Sequence, residues 1–160
     1  MSRLQVPLRD RTLWRTGEVV LRAHLELLLK DAAGGWHKES FRVDSGTDMT
    51  SLSAARAKAL GLPMPTQGLT VPITTSTGTA LVVLRAGWLR VRVVGLDPVE
   101  HLLPCHFIGD PDAALAPGAG RATFPRSLLG LTGVVNLLTI SFQGDPTPGA
   151  PHGNLVIERR

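Results

Sequence analysis

From Glu18 to Lys30 apolar side chains occupy every second position: Val19, Leu21, Ala23, Leu25, Leu27 and Leu29, separated by residues that include Arg22, His24 and Glu26. An extended chain puts alternate residues on one face, so this segment reads as a half-buried β-strand. Asp31-Ala32-Ala33-Gly34-Gly35 is turn chemistry, and Trp36 to Val43 returns as the partner strand. The partner runs straight into Asp44-Ser45-Gly46-Thr47 and so delivers a carboxylate to a turn at its end. A Ser after the aspartate can brace such a loop by side-chain hydrogen bonds. Gly46, with no Cβ, lets backbone and substrate come close to the carboxylate. Taken alone, Asp-Ser-Gly is also ordinary turn chemistry, so context has to decide.

The remaining pattern is mostly strand. Leu52 to Leu60, rich in Ala, reads as a short helix stopped by Gly61 and Pro63. Leu69 to Val94 reads as a hairpin reversing around Ser76-Thr77-Gly78-Thr79. A turn at Gly95-Leu96-Asp97-Pro98 then leads to an apolar strand over Leu102 to Ile108. At 160 residues, 43% hydrophobic and 19% charged, the chain fits one compact domain with a real core. We expect an N-terminal segment over 1–16, contributing an interface strand, and the domain proper over 17–160. A Pro-, Gly- and Ala-rich insertion occupies about 109–126.

No apolar run approaches ~18 residues, so no membrane span is expected. The start lacks the basic-then-apolar layout of a signal peptide, and the single cysteine, Cys105, cannot form an internal disulfide. A cytoplasmic setting is the expectation. The net charge of +4 comes from arginines dispersed singly, such as Arg85, Arg90 and Arg92, without a basic run or interleaved aromatics. That pattern argues against nucleic acid and for some attraction of acidic partners.

Downstream stands Ser127-Leu128-Leu129-Gly130-Leu131-Thr132-Gly133, followed by the apolar run to Phe142. With Asp44-Ser45-Gly46-Thr47 before it and Leu128-Leu129-Gly130 after the hairpin, the chain resembles the retroviral-type aspartic proteases, the retropepsins and their cellular and bacterial relatives. The resemblance spans about residues 17–158 and implies a mainly β fold. Its features would be a small closed, barrel-like sheet, a flap hairpin and one or two short helices, with Gly130 opening one of them. Leu138 to Phe142 and Gly153 to Ile157 would form the closing hairpin. Viral members commonly carry Arg after the second-motif glycine, pairing with an acid two positions past the catalytic glycine. Here Asp48 holds the acidic place but Leu131 stands for the Arg.

The resemblance further implies an aspartic endopeptidase that works as a homodimer. Asp44 would be catalytic, with Ser45, Gly46 and Thr47 supporting the loop. Gly46, Asp48, Thr77, Gly78 and Leu129 would contact an extended peptide substrate. Val71, Ile73 and the loop over 122–127 are further candidates for subsite walls. One carboxylate must act as base toward water while a second, protonated, polarises the carbonyl, and one chain supplies one such aspartate. Leu4 to Leu8 and Leu155 to Ile157 are the candidate interface strands. No metal or organic cofactor is needed. Three other readings stay open: a metal or Cys/His site at His101, Cys105 and His106; a cross-strand pair of His24 and His37; and a noncatalytic dimerisation or peptide-binding module that keeps Asp44 for its turn.

Overall fold

The computed structural model of the protein describes residues 3–13, 16–75, 78–113 and 127–160, without the side chain of residue 75. In chain order the elements are β1 (Arg3–Pro7), β2 (Arg9–Thr12), β3 (Val19–Arg22), β4 (His24–Lys30), β5 (Trp36–Val43) and β6 (Thr50–Ser53). The helix α1 (Ala54–Ala59) precedes β7 (Leu69–Thr75), β8 (Gly78–Val93), β9 (His101–Ile108), β10 (Leu128–Leu129), β11 (Leu138–Gln143) and β12 (Asn154–Arg159). The fold is mainly β, as the alternating apolar pattern requires.

Seven strands form one sheet in the order β4-β5-β10-β6-β9-β8-β7. Strand β4 pairs with β8 as well as with β5, through Leu27 to Leu29 opposite Val93 to Val91, so the two flanks of the sheet meet. The long β8 makes this possible by serving three partners in turn. Its first part pairs with β7 up to Leu84, its middle with β9 up to Val91, and its end with β4. Enclosed by this arrangement lie Leu25, Leu27 and Leu29 of β4, Phe41 of β5, Leu52 of β6, Phe107 of β9 and Leu129 of β10, each at most 2% exposed. Burying each such side chain contributes about 1.5–3 kcal/mol.

The segment expected as one strand is two. Ala23 separates β3 from β4, and the exchange of partners explains the break: β4 pairs with β5, whereas β3 turns away to pair with β2. The apolar parity continues across the break, but Leu25 is 1% exposed while Leu21 is 52% exposed.

The helix expected from Gly130 does not form. Residues 132–137 make consecutive turns, with Val134 N–H bonded to the Leu131 carbonyl at 3.1 Å and Leu138 N–H to the Val134 carbonyl at 2.9 Å. Gly133, at φ +79°, leaves the right-handed helical region inside this stretch. The helix that does form, α1, starts where Ser53 Oγ accepts a bond from Arg56 N–H at 3.4 Å. It buries Ala54, Ala55 and Ala57.

A separate three-stranded sheet runs β1-β12-β11. Strand β12, read from the sequence as an edge for a second subunit, is the middle strand here, with Leu155, Val156 and Ile157 buried. Its edges are taken by β1 and β11 of the same chain. Among the described residues no helix is long and apolar enough to cross a membrane.

Candidate active site

Asp44 is the first residue past β5, and strand pairing decides where it sits. The two-residue β10 lies parallel to β5, with Leu128 opposite Arg42 and Leu129 opposite Val43. The same Leu128 faces Ser51 of β6 antiparallel. This wedge brings the 44–48 loop against residues 129–132, which are remote in sequence.

Backbone bonds then tie the two segments together. Asp44 N–H donates to the Leu129 carbonyl at 3.2 Å, Leu131 N–H to the Thr47 carbonyl at 3.1 Å, and Thr132 N–H to the Asp48 carbonyl at 2.7 Å. Gly130 N–H donates to Oγ1 of the fully buried Thr50 at 3.3 Å. Within the loop, Thr47 N–H reaches the Asp44 carbonyl at 3.2 Å and Gly46 N–H reaches Asp44 Oδ1 at 3.1 Å. The conformation is therefore over-determined, which is how a fold holds one carboxylate in a fixed orientation.

The second carboxylate oxygen, Asp44 Oδ2, accepts from Arg42 Nη2 at 2.9 Å. Both side chains are partly exposed, so solvent moderates the pair. Residues i and i+2 of a strand share a face, and that spacing was the signal available in Phe41-Arg42-Val43-Asp44. Sequence reasoning passed over Arg42. It also passed over Glu39, whose Oε2 accepts from Arg56 Nε at 3.0 Å and whose Oε1 accepts from Ser127 Oγ at 2.9 Å. Glu39 thereby joins β5 to α1 and to the residue leading into β10.

The other sequence candidates are distributed as follows. Ser45, Gly46 and Asp48 are exposed on the loop and Thr47 is half-buried. Leu129 is 2% exposed and its side chain belongs to the core, so what it offers the loop is its carbonyl. The hairpin of β7 and β8 exists, with Thr75 paired to Gly78 and Thr74 Oγ1 3.1 Å from Thr79 Oγ1. Gly78 has φ +126°, a value that a glycine adopts at little cost. Thr77 and the loop over 122–126 lie outside the described residues.

Beside Asp44 opens a cleft of about 560 Å³ whose lining includes Arg22, Arg42, Asp44, Ser45, Phe142 and His152. Among the described residues Asp44 is the one carboxylate in that lining.

The rival sites do not assemble. Cys105 is fully buried, and desolvation pushes its thiol up to about 12, so a thiolate nucleophile is disfavoured. His101 and His106 are held below the usual imidazole range by burial, with the Arg159 charge adding to the effect at His101. Among the described residues no group of three His, Cys, Asp or Glu side chains could hold a metal. His24 and His37 do not face each other: His24 lies opposite Arg42 and His37 opposite Leu29. His37 Nε2 instead meets Asp31 Oδ2 at 2.6 Å, closing the first hairpin's turn.

Among known proteins, no family model and no curated protein sequence matches the chain. A search of solved structures finds the crystal structure of a retropepsin-like aspartic protease from Rickettsia conorii. It aligns at a TM-score of 0.52 and 15% identity over 98% of this chain and 90% of that one. At that identity the likeness establishes the fold: the chain has a retropepsin-like fold.

Proposed function

We propose that the protein is an aspartic endopeptidase acting as a homodimer, in which Asp44 of each subunit contributes one carboxylate to a shared pair. The observation that carries this reading is the lacing of the Asp44-Ser45-Gly46-Thr47 loop onto Leu129-Gly130-Leu131-Thr132 within a retropepsin-like fold. An ordinary turn has no need of the long-range bonds that tie Asp44 and Thr47, and with them Asp48 and Thr50, to residues 129–132. Two carboxylates brought together cannot both ionise cheaply, so the pair shares a proton. One then draws a proton from water while the other donates to the scissile carbonyl. The peptide would lie extended under the β7–β8 hairpin as a flap, with Gly46, Asp48 and Gly78 bonding its backbone. Ser45 and Thr47 would brace the loop.

A second reading draws on the Arg42–Asp44 pair. A carboxylate already balanced by a cation within its own chain suits a noncatalytic dimerisation or peptide-binding module. The two readings separate on cleavage of an unstructured protein across roughly pH 4 to 8, the range of a tuned carboxylate pair. The endopeptidase reading expects cleavage by wild type that disappears in Asp44→Asn at equal dimer content. Cleavage surviving in Asp44→Asn contradicts it.

A further inference from the structure

Arg42 lines the cleft that holds Asp44 and precedes it by two residues, the spacing that shares a strand face. Its backbone is fixed on both sides. Arg42 N–H donates to the Ser127 carbonyl at 2.9 Å, and its strand neighbours are His24 on β4 and Leu128 on β10. Its side chain is 22% exposed, so the guanidinium reaches the cleft from a mostly covered stem.

The guanidinium carries five N–H donors in a planar fork. Among the described residues one of them is engaged by a side chain, through the 2.9 Å contact of Nη2 with Asp44 Oδ2. That single-point contact leaves most of the fork for a second planar acceptor, and a carboxylate is the acceptor that matches it. Lysine in this place would offer a point charge without that geometry.

The surroundings bias the cleft the same way. Among the described residues its lining adds Arg22 and His152 to Arg42 and has no acid besides Asp44. Asp10 lies 3.9 Å from His152. The whole chain is net positive by four charges, which draws acidic segments toward it.

We propose that Arg42 is a specificity-determining residue that selects peptides carrying an Asp or Glu side chain next to the bond presented to Asp44. This rests on the endopeptidase reading for its position relative to the scissile bond. A substrate carboxylate seated on the fork would also balance the Arg42 charge from the substrate side. Asp44 would then be free to share a proton with its counterpart.

The test uses peptide twins that differ only in Glu against Gln at the residue flanking the cleaved bond, found first by digesting a randomised peptide mixture. Wild type is expected to process the Glu twin at least about 10-fold faster in kcat/KM, the scale of one charge-assisted contact. Arg42→Met should bring the twins to near parity, Arg42→Lys should fall between, and Arg42→Glu should turn the preference toward a Lys twin. Far-UV circular dichroism identifies any variant that fails to fold, and the folded members of the series then decide. Equal cleavage of the twins by wild type, or a Glu preference that survives in Arg42→Met, overturns the Arg42 assignment while leaving the endopeptidase reading intact. If wild type cleaves nothing, that reading fails by itself. Fluorescence anisotropy of the labelled twins then decides the assignment. Tighter binding of the Glu twin, abolished by Arg42→Met, supports it, and equal or absent binding overturns it.

Discussion

A Cβ placed on Gly130 would lie 2.6 Å from the Met49 carbonyl oxygen and 2.7 Å from that of Asp48. No real Cβ tolerates such contacts, and the obstruction is backbone, which cannot swing aside as a side chain can. Gly130 is therefore what allows the segment after β10 to press against the Asp44 loop. Gly130→Ala should destabilise the fold by about 1–3 kcal/mol, the usual cost of overpacking. Urea denaturation gives the stability, and cleavage at a concentration where the variant is folded should fall as the loop is displaced. A variant with unchanged midpoint would show that the close approach is not needed.

Much of this arrangement was legible in local sequence because strands and turns leave local signatures. Period-two alternation gave away β4, and the turn at 31–35 gave away β5 as its returning partner. An Ala-rich stretch gave away α1, although Leu52 and Ser53 at its expected start belong to β6. The glycines at 34, 78 and 95 marked reversals that the structure contains. What stayed hidden was decided by partners far along the chain. The break at Ala23 follows from β3 leaving for β2, and the meeting of β4 with β8 comes from residues more than sixty positions apart. The edge assignment of β12 failed because β11 and β1 both pair with it. The helix after Gly130 failed for a local reason, since Gly133 takes φ +79°. Arg42 was visible in sequence, but its worth depends on a side-chain contact with Asp44 that spacing permits and does not require.

Acid should weaken the fold in two stages. Burial holds His101 and His106 below their ordinary value of 6.5, so the unfolded chain binds protons there more readily than the folded one. Their contribution is present above that value and is lost as pH falls through the window below it. Asp31 is held below its ordinary 3.8 first by its hydrogen bond to His37, and Glu100 below 4.5 first by its bond to Lys30. Their contribution is present at higher pH and lost as pH drops through the carboxylate range. Melting temperature measured from about pH 8 to pH 3 should decline in these two windows. His101→Gln with His106→Gln should flatten the upper step and Asp31→Asn the lower. A flat profile between about pH 7 and pH 5 would contradict the histidine assignment.

Cys105 should be inert in the native protein. Its side chain is buried against the core and its thiol is pushed up to about 12 by desolvation, so little thiolate exists to attack a reagent. A disulfide reagent at about pH 8 should label it only as fast as the protein opens, and at once in denaturant. Prompt stoichiometric labelling of folded protein would place Cys105 at the surface.

The central claim is that catalysis needs an Asp44 carboxylate from each of two chains. Mixing equal amounts of wild type and Asp44→Asn, with time for subunits to exchange, tests this most directly. With random pairing, about a quarter of the dimers carry two intact aspartates, so activity per total dimer should fall to about a quarter of the wild-type value. Activity that remains at half, the value for chains acting independently, would contradict the shared pair.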